Sequence, residues 1–286
     1  MGLVDKFWSL LEGSKLDVDR RFELMRAAVS GTMSKFYMAR DRNTDEIFGL
    51  KICDKEKTDY FESRFPGLGK PIEGEVAMQF DHPLIVKTYK YGKTTNGEDY
   101  LLMEFLKGKG VNTLIVEKSP DLRRNGRALI VQIAEALQVV HDAGYIHRDV
   151  CPRNFIAAPD VKSVKLIDFG ITVPELPPYK QPGNRTGTPN YMAPEIVRRR
   201  STDKRVDLFA FGVTAFQMLT FELPWPGADV TGKAAMSHDT MAPKDIFELA
   251  PEMAQRLGTT IMQCLKVQPQ DRPDSFNTFV RTIQER

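Results

Sequence analysis

Two acidic clusters, whose first aspartates lie nineteen positions apart, constrain this chain more than any other feature. The first is segment 147–154, which reads His-Arg-Asp-Val-Cys-Pro-Arg-Asn, and the second is segment 168–170, which reads Asp-Phe-Gly. Carboxylate and amide oxygens are hard ligands of the kind that Mg²⁺ prefers, so Asn154 and Asp168 are suited to hold that ion against phosphate groups. Asp149 is suited to orient a hydroxyl group and take its proton. The two clusters together predict a site for phosphate chemistry.

Length and composition indicate an ordinary globular protein. The 286 residues are enough for two packed lobes, and 42% hydrophobic with 27% charged residues is a usual composition. The net charge of +2 gives no electrostatic reason to expect a nucleic-acid partner. No apolar run approaches the ~20 residues that span a bilayer, so we expect no membrane segment.

The three cysteines are isolated in the sequence. Cys53, Cys151 and Cys264 show no paired spacing, which argues against a disulfide framework or a zinc site. This usage fits a reducing compartment, and we expect a cytoplasmic location.

The hydrophobic pattern changes its period partway along the chain. Residues 22–53 alternate as three strands, and two more strands are predicted near 85–91 and 99–105. We expect a loop over 54–70, and a helix from Pro71 to about Phe80. After residue 110 the apolar residues recur at helical spacing. The pattern predicts a small β-rich lobe and a larger α-rich lobe that meet at a hinge near 103–106.

Several further motifs occur in an order that is typical of one family. They are Lys51 in a strand, Glu73 ten residues before Pro83, the triplet Ala193-Pro194-Glu195, Asp207 at the start of an apolar helix, and Arg272 followed by Pro273. With the two acidic clusters, they make the chain resemble the eukaryotic-type (Hanks-type) Ser/Thr protein kinase catalytic domain over roughly residues 20–285.

The resemblance implies an α+β, bilobal protein-kinase-like fold. We expect a five-stranded antiparallel N-lobe with one main helix over residues 21–105 and a mostly helical C-lobe over 106–286, as a single kinase domain spanning 21–285. Residues 1–20 are expected to form an amino-terminal, helical extension.

The same resemblance assigns roles to individual residues. Asp149 would accept or orient the substrate hydroxyl, and Asn154 and Asp168 would hold Mg²⁺. Lys51 would contact the ATP phosphates and be held in place by Glu73. Glu104 and Leu106 would offer backbone groups to adenine, with Met103 as the gatekeeper. The implied cofactors are ATP and Mg²⁺, and the implied partner is a protein substrate.

The segment before Ala193 predicts the substrate class and a mode of regulation. Thr188 resembles the threonine that, in Ser/Thr kinases, hydrogen-bonds the catalytic aspartate, so the substrate group is expected to be a serine or threonine. Arg148 is expected to meet a phosphate on the activation segment. Thr186 and Thr172 are the candidate phosphorylation sites.

Cys151 departs from the family pattern in the catalytic loop. It occupies the position of a lysine that steadies the transferring phosphoryl group, and loss of such a donor typically costs ~10²–10³ in rate. Arg153, two positions later, resembles an arginine that some tyrosine kinases carry in the same role. The alternative for Arg153 is a plain surface arginine. Cys151 is either a reactive thiol or a small filler side chain, and the filler is favoured.

The nucleotide-binding loop also departs from the pattern. The three glycines of the family correspond here to Val29, Gly31 and Ser34, so only one remains. Because glycine allows the backbone to approach phosphates closely and valine is stiff, weaker nucleotide binding is expected.

Three functions are compatible with these features. The first is an active Ser/Thr protein kinase that uses ATP and Mg²⁺. The alternative is a pseudokinase or nucleotide-gated scaffold with weak or no phosphotransfer, which the two departures favour. A small-molecule kinase is disfavoured by Thr188 and by the Ala193-Pro194-Glu195 triplet.

Overall fold

The computed structural model describes residues 15–25, 29–30, 33–183, 185–226 and 234–285. The amino-terminal lobe is built on one antiparallel sheet. Its strands are β1 Phe22–Leu24, β2 Val29–Ser30, β3 Ser34–Asp41, β4 Ile47–Cys53, β5 Thr88–Lys93 and β6 Asp99–Glu104. The order across the sheet is β1-β3-β4-β6-β5, and β2 also pairs with β3. Strands β1 and β2 both pair with β3 and share one position beside it, so they count together as one of the five expected strands. The expected five-stranded antiparallel N-lobe is confirmed.

The alternation of side chains along β4 separates two faces of the sheet. Phe48 and Leu50 lie in a small apolar cluster on one face, together with Phe22 from β1. Lys51 and Cys53 therefore lie on the opposite face, which turns toward the main core. Lys51 pairs in register with Leu101 of β6, and Leu101 pairs with Tyr91 of β5. This row of side chains lies beneath the helix that begins at Glu73.

The amino-terminal lobe contains more helix than the sequence predicted. Its helices are α1 Val18–Arg21, α2 Lys55–Glu62 and α3 Glu73–Ala77. The prediction of a loop over 54–70 was wrong, because the Asp54 carboxylate caps α2 by accepting the Lys57 N–H at 3.1 Å and Phe61 is buried. The predicted helix at 71–80 exists as the shorter α3. Of the amino-terminal extension only residues 15–20 belong to the described part.

The carboxy-terminal lobe is mostly helical, as expected. Its helices are α4 Val111–Val116, α5 Pro120–Asp142, α6 Pro194–Val197, α7 Arg205–Thr220, α8 Ile246–Leu249, α9 Gln255–Cys264 and α10 Phe276–Gln284. Ser119 caps α5 by accepting the Leu122 N–H at 3.3 Å, and Gly144 follows its end with a φ of +80°. Helix α7 is buried around most of its circumference and forms the centre of the lobe.

Short strands carry the two acidic clusters. They are β7 Lys109–Gly110, β8 Tyr145–Ile146, β9 Phe155–Ala157, β10 Val164–Leu166 and β11 Val173–Pro174. Strands β9 and β10 are antiparallel neighbours, so segments 147–154 and 168–170 emerge at the same end of this pair. The Ile167 N–H donates to the Asn154 carbonyl at 3.0 Å. The two clusters are thereby brought together.

The two lobes share one apolar core. The Val86 N–H donates to the Leu166 carbonyl at 2.8 Å, and the Leu166 N–H donates to the Leu84 carbonyl at 2.9 Å. These bonds join the loop after α3 to β10 of the other lobe. Strand β6 ends at Glu104, inside the predicted hinge. Within the described ranges, no helix is long and apolar enough to cross a membrane.

Candidate active site

Three charged side chains meet between the lobes. Lys51 Nζ lies 2.5 Å from Glu73 Oε1 and 3.1 Å from Asp168 Oδ1. Burial by itself would lower the pKa of Lys51, but the carboxylates of Asp168 and Glu73 outweigh it and raise that pKa above its usual value. Lys51 is therefore a permanent cation, although its side chain is only 2% exposed.

Asp168 remains charged in the same cluster. Burial would raise the pKa of its carboxyl group, but Lys51 and the Gly170 N–H outweigh burial and lower that pKa. Asp168 Oδ1 accepts the Gly170 N–H at 2.8 Å and also faces Lys51, which leaves Oδ2 for a cation. In Asn154 the amide nitrogen donates to Asp149, which leaves the amide oxygen for a cation. One carboxylate and one amide oxygen are a suitable partial ligand set for Mg²⁺, which keeps several waters.

No larger metal cluster accompanies this pair. Within the part of the chain that the structure describes, no three His, Cys, Asp or Glu side chains converge as metal ligands. The donor set therefore fits an ion that is shared with phosphate oxygens better than an ion caged by protein.

Phe169 and His147 support the Asp-Phe-Gly segment from inside. The Phe169 N–H donates to Glu73 Oε1 at 3.2 Å, and the Phe169 ring stacks on Phe80 with centroids 5.0 Å apart. His147 Nε2 lies 2.6 Å from the Asp168 carbonyl oxygen. Phe169 and His147 are both buried.

Both oxygens of the Asp149 carboxylate are held. Oδ1 accepts the Thr188 N–H at 3.0 Å and the Thr188 hydroxyl at 2.6 Å. Oδ2 accepts the Asn154 amide at 3.0 Å. The carboxylate orientation is therefore set from two sides, and Thr188 occupies the place that the sequence predicted.

Arg153 is an exposed residue whose guanidinium contacts Thr188. Its Nη2 donates to the Thr188 hydroxyl at 2.6 Å, so that Arg153, Thr188 and Asp149 form a continuous hydrogen-bonded chain. This contact is compatible with a role of the guanidinium at the reacting groups, and that role stays a prediction.

Cys151 is a buried filler and not a reactive thiol. Its side chain is 1% exposed, and its Sγ lies 3.7 Å from the Thr188 hydroxyl. Burial, aided by the Asp149 carboxylate, raises the pKa of the Cys151 thiol to about 12. The thiolate that a reactive cysteine requires is therefore absent at neutral pH.

Asp207 fixes the backbone of the catalytic loop. Its carboxylate accepts the N–H groups of His147 and Arg148, each at 2.8 Å, and lies 2.9 Å from His141 Nε2. Burial would raise the pKa of Asp207, but the hydrogen bond to His141 contributes to the net lowering. Arg148 has a φ of +69°, an unusual backbone conformation for arginine that these bonds hold.

The activation segment is anchored at its carboxy-terminal end. The Glu195 carboxylate receives two hydrogen bonds from Arg272, at 2.7 and 2.8 Å. His238 Nδ1 lies 2.8 Å from the Met192 carbonyl oxygen. The pair of Glu195 and Arg272 thus holds this end of the segment, and His238 was not recognised from the sequence.

The two candidate phosphorylation sites differ in their surroundings. Thr186 accepts a hydrogen bond from Arg64 Nη1 at 2.6 Å, whereas Arg148 Nη2 contacts Thr202. The expected contact of Arg148 with a phosphate group on the activation segment stays a prediction. Thr172 is 1% exposed, and its hydroxyl donates to the His147 carbonyl. Because a kinase cannot reach a side chain packed in this way, Thr172 is withdrawn as a candidate.

The residues predicted to bind adenine lie at the end of β6 and just after it. Met103 is buried, and the Glu104 carboxylate accepts the Lys87 N–H at 2.8 Å and an ion pair from Lys165. The expected binding of adenine by backbone groups of Glu104 and Leu106 stays a prediction.

The glycine-poor loop is described only in part. Val29 pairs with Phe36 across β2 and β3, Ser34 is buried, and Gly31 lies outside the described residues. The expected effect of this loop on nucleotide affinity therefore stays a prediction.

Two functional contacts were missed by sequence reasoning. Cys53 Sγ lies 3.7 Å from Glu73 Oε2, and Arg64 contacts Thr186. Cys53 was recognisable, because a residue two positions after Lys51 in a strand shares its face. Arg64 gave no signal, since its partner lies more than 100 residues away in sequence.

Comparisons with known proteins agree with this geometry. The family model described as protein kinase domain matches residues 22–282. The chain is 29% identical over 269 residues to serine/threonine-protein kinase pkn3 of Myxococcus xanthus, which covers 89% of this chain and 48% of that protein. It is 32% identical over 255 residues to an Aurora kinase of Saccharomyces cerevisiae, which covers 88% of this chain and 65% of that protein.

A third relative is ribosomal protein S6 kinase alpha-6 of Homo sapiens. It is 28% identical over 221 residues, which cover 76% of this chain and 29% of that protein. The chain thus spans less than two thirds of the length of each of these three relatives.

Proposed function

Because the chain belongs to the protein kinase family, we propose that it is an active kinase domain that transfers the γ-phosphoryl group of ATP to serine or threonine hydroxyls of a protein substrate. The observation that carries the proposal is the contact of Lys51 with both Glu73 and Asp168. This arrangement aligns a fixed cation with the carboxylate that faces the metal, and both are needed for phosphoryl transfer in this family.

In the proposed reaction, the substrate hydroxyl oxygen forms a bond to the γ-phosphorus as the bond to the bridging oxygen of ADP breaks. Asp149 orients the hydroxyl and takes its proton. Lys51 contacts the phosphates that are not transferred, and the backbones of Glu104 and Leu106 bind adenine. Asn154 and Asp168 would hold Mg²⁺, which would supply positive charge to the phosphate oxygens.

Arg153 is proposed to replace the lysine that Cys151 displaces. Its guanidinium is charged at all relevant pH values and is already directed toward Asp149 through Thr188. A cation in this place stabilises the charge that develops on the transferring phosphoryl group. Thr188, bonded to Asp149, supports a serine or threonine substrate.

Phosphorylation of Thr186 is the proposed regulatory step. Burial, together with repulsion from Arg64, lowers the pKa of Arg148 despite the nearby Asp207. Arg148 Nε and Nη1 are buried and have no hydrogen-bond partner among the described residues. A phosphoryl group on Thr186 would place a charge of about −1.5 to −2 between the guanidinium groups of Arg64 and Arg148, which repel each other.

A reducing, cytoplasmic location is part of the proposal. It is supported by the three cysteines, which are free and buried in the structure.

Radiolabelled phosphate incorporation tests the proposed activity. The protein is incubated with ATP and Mg²⁺, with and without a generic basic protein substrate, and is compared with Asp168→Asn. We expect incorporation by the wild type and loss of it in the variant. The absence of incorporation by the wild type, together with a thermal shift on addition of ATP and Mg²⁺, would favour the pseudokinase instead.

A further inference from the structure

Helix α3 carries Glu73 but is too short to be stable by itself. It contains five residues, which is far below the length at which an isolated helix is stable. Its first turn also adjoins a small cavity of about 30 Å³, which is lined in part by Glu73, Gly74, Tyr91 and Leu101. The position of Glu73 therefore depends on the contacts that α3 makes with the rest of the protein, and the sheet beneath it supplies part of them.

Gly74 and Tyr91 make the closest of these contacts. A Cβ atom on Gly74 would lie 2.3 Å from Tyr91 Cγ, 2.4 Å from Tyr91 Cβ and 2.6 Å from Tyr91 Cδ2. Ordinary van der Waals contact begins at 3.4 Å. Any side chain at this position therefore forces α3 and β5 apart by about 1 Å or more, since interiors are close-packed.

The register of the sheet places this contact where it matters for Lys51. Tyr91 pairs with Leu101, and Leu101 pairs with Lys51, so the three side chains form one row across β5, β6 and β4. Neighbouring strands lie about 4.8 Å apart. Glu73 and Gly74 are neighbours on α3. The separation of α3 from the Tyr91 ring consequently also sets the separation of Glu73 from Lys51.

We propose that Gly74 is a positioning residue for phosphoryl transfer, because its missing side chain lets α3 lie flat on Tyr91 and brings Glu73 within reach of Lys51. Gly74 has no positive φ, so the close approach and not an unusual backbone conformation accounts for the glycine. Only the expected effect on kcat rests on the proposed kinase activity.

The kinetic test compares Gly74→Ala with the wild type. We expect kcat to fall about 10- to 100-fold, since a displacement of about 1 Å in an active site costs up to that much, while the KM for the protein substrate stays the same. Gly126→Ala is the matched control. It makes the same change within α5, where the new Cβ would meet only the flexible end of Leu219 at 2.9 Å, and should keep wild-type kcat.

A double-variant cycle separates positioning from general damage to the fold. Tyr91→Gly removes all three atoms that the new Cβ would strike. In that background Gly74→Ala should lower kcat less than about threefold. An equal loss in both backgrounds would overturn the proposal.

Crystal structures of the wild type and Gly74→Ala give a readout that does not require turnover. The Lys51 Nζ to Glu73 Oε1 distance should lengthen from 2.5 Å to more than 4 Å in the variant. An unchanged distance would overturn the inference even if the wild type is active. An inactive wild type in which this distance lengthens as described would count against the proposed function alone.

Discussion

At the scale of single residues, the catalytic loop keeps its charge although the family lysine is missing. Cys151 is buried and neutral, so it cannot replace an ammonium group. Arg153 reaches the same centre through the Thr188 hydroxyl. The cation that the family places at position 151 is thus supplied here from position 153, and one positive charge remains beside Asp149. The loss of the lysine therefore does not by itself argue for an inactive protein.

The first prediction concerns Arg153. Arg153→Ala should lower kcat by about 10²–10³-fold, because it removes a preorganised donor at the transferring group. Arg124→Ala, which changes an arginine that is 75% exposed, should leave kcat unchanged. Steady-state phosphorylation of a protein substrate measures both. Wild-type kcat in Arg153→Ala would show that another group supplies the charge.

The second prediction concerns His238 and pH. Burial lowers the pKa of His238, although the Met192 carbonyl and Asp239 act in the opposite direction. The folded state therefore favours the neutral ring. As the pH falls below 6.5, the ordinary value of this histidine, the unfolded state takes up a proton first, so the free energy of unfolding decreases.

Urea unfolding at pH 7 and pH 5 measures this effect. The decrease in the free energy of unfolding should be smaller in His238→Asn than in the wild type, because the variant has no ring to protonate. An equal decrease in the two proteins would contradict the prediction.

At the scale of elements, the segment 54–72 connects the amino-terminal lobe to the activation segment. The Phe65 and Tyr179 rings lie 5.5 Å apart, and the Tyr179 hydroxyl donates to the Leu68 carbonyl at 3.0 Å. Arg64 adds its hydrogen bond to Thr186. Since this segment leads directly into α3, the conformation of the activation segment is mechanically linked to the position of Glu73.

The third prediction concerns this link. Thr186→Ala and Arg64→Ala should each lower the activity of the autophosphorylated protein about tenfold, because each removes one partner of a charge-assisted pair worth about 1.5–3 kcal/mol. Lys57→Ala, which changes an exposed cation on α2, is the matched control. The absence of phosphate between Asp168 and Glu195 in mass spectra of active protein would refute the regulatory proposal.

The fourth prediction concerns the anchor between α6 and the segment after α9. Arg272 and Glu195 form a buried, doubly hydrogen-bonded ion pair. Arg272→Ala leaves a buried carboxylate without its partner, so the free energy of unfolding should fall by about 3–5 kcal/mol.

The exposed pair of Arg256 and Glu285 supplies the control. Arg256 Nη1 lies 3.8 Å from the Glu285 carboxylate, and its side chain is 51% exposed, so Arg256→Ala should cost less than about 1 kcal/mol. Equal losses in the two variants, measured by urea unfolding, would show that the buried pair contributes no more than a surface pair.

At the scale of the whole molecule, the cleft is formed by two lobes that share one core. Buried residues of both lobes belong to one apolar cluster, and backbone bonds join segment 84–86 to β10. The ion pair of Glu104 with Lys165 adds a second connection, between the hinge and the strand that leads to Asp168. One structure therefore positions both the side chains proposed to face ATP and those proposed to hold Mg²⁺.

The sequence by itself determined the fold class, the order of the elements and most of the proposed site. Lys51, Asp149 and Asp168 each lie in a short motif whose order and spacing are specific, because a strand end or a tight loop places these side chains by local geometry. Glu195 and Arg272 were likewise recognised as motif residues.

Only the tertiary structure decided the contacts between residues that are distant in sequence. The direction of Arg153, the contact of Arg64 with Thr186, the burial of Thr172 and the close approach of Gly74 to Tyr91 follow from packing and strand register. No local pattern encodes them, because each depends on where a second segment comes to lie after the lobes have folded. The sequence did not predict helix α2 for the same reason. Its charged residues form a helix because Phe61 is buried in the core, and only the folded lobe provides that core.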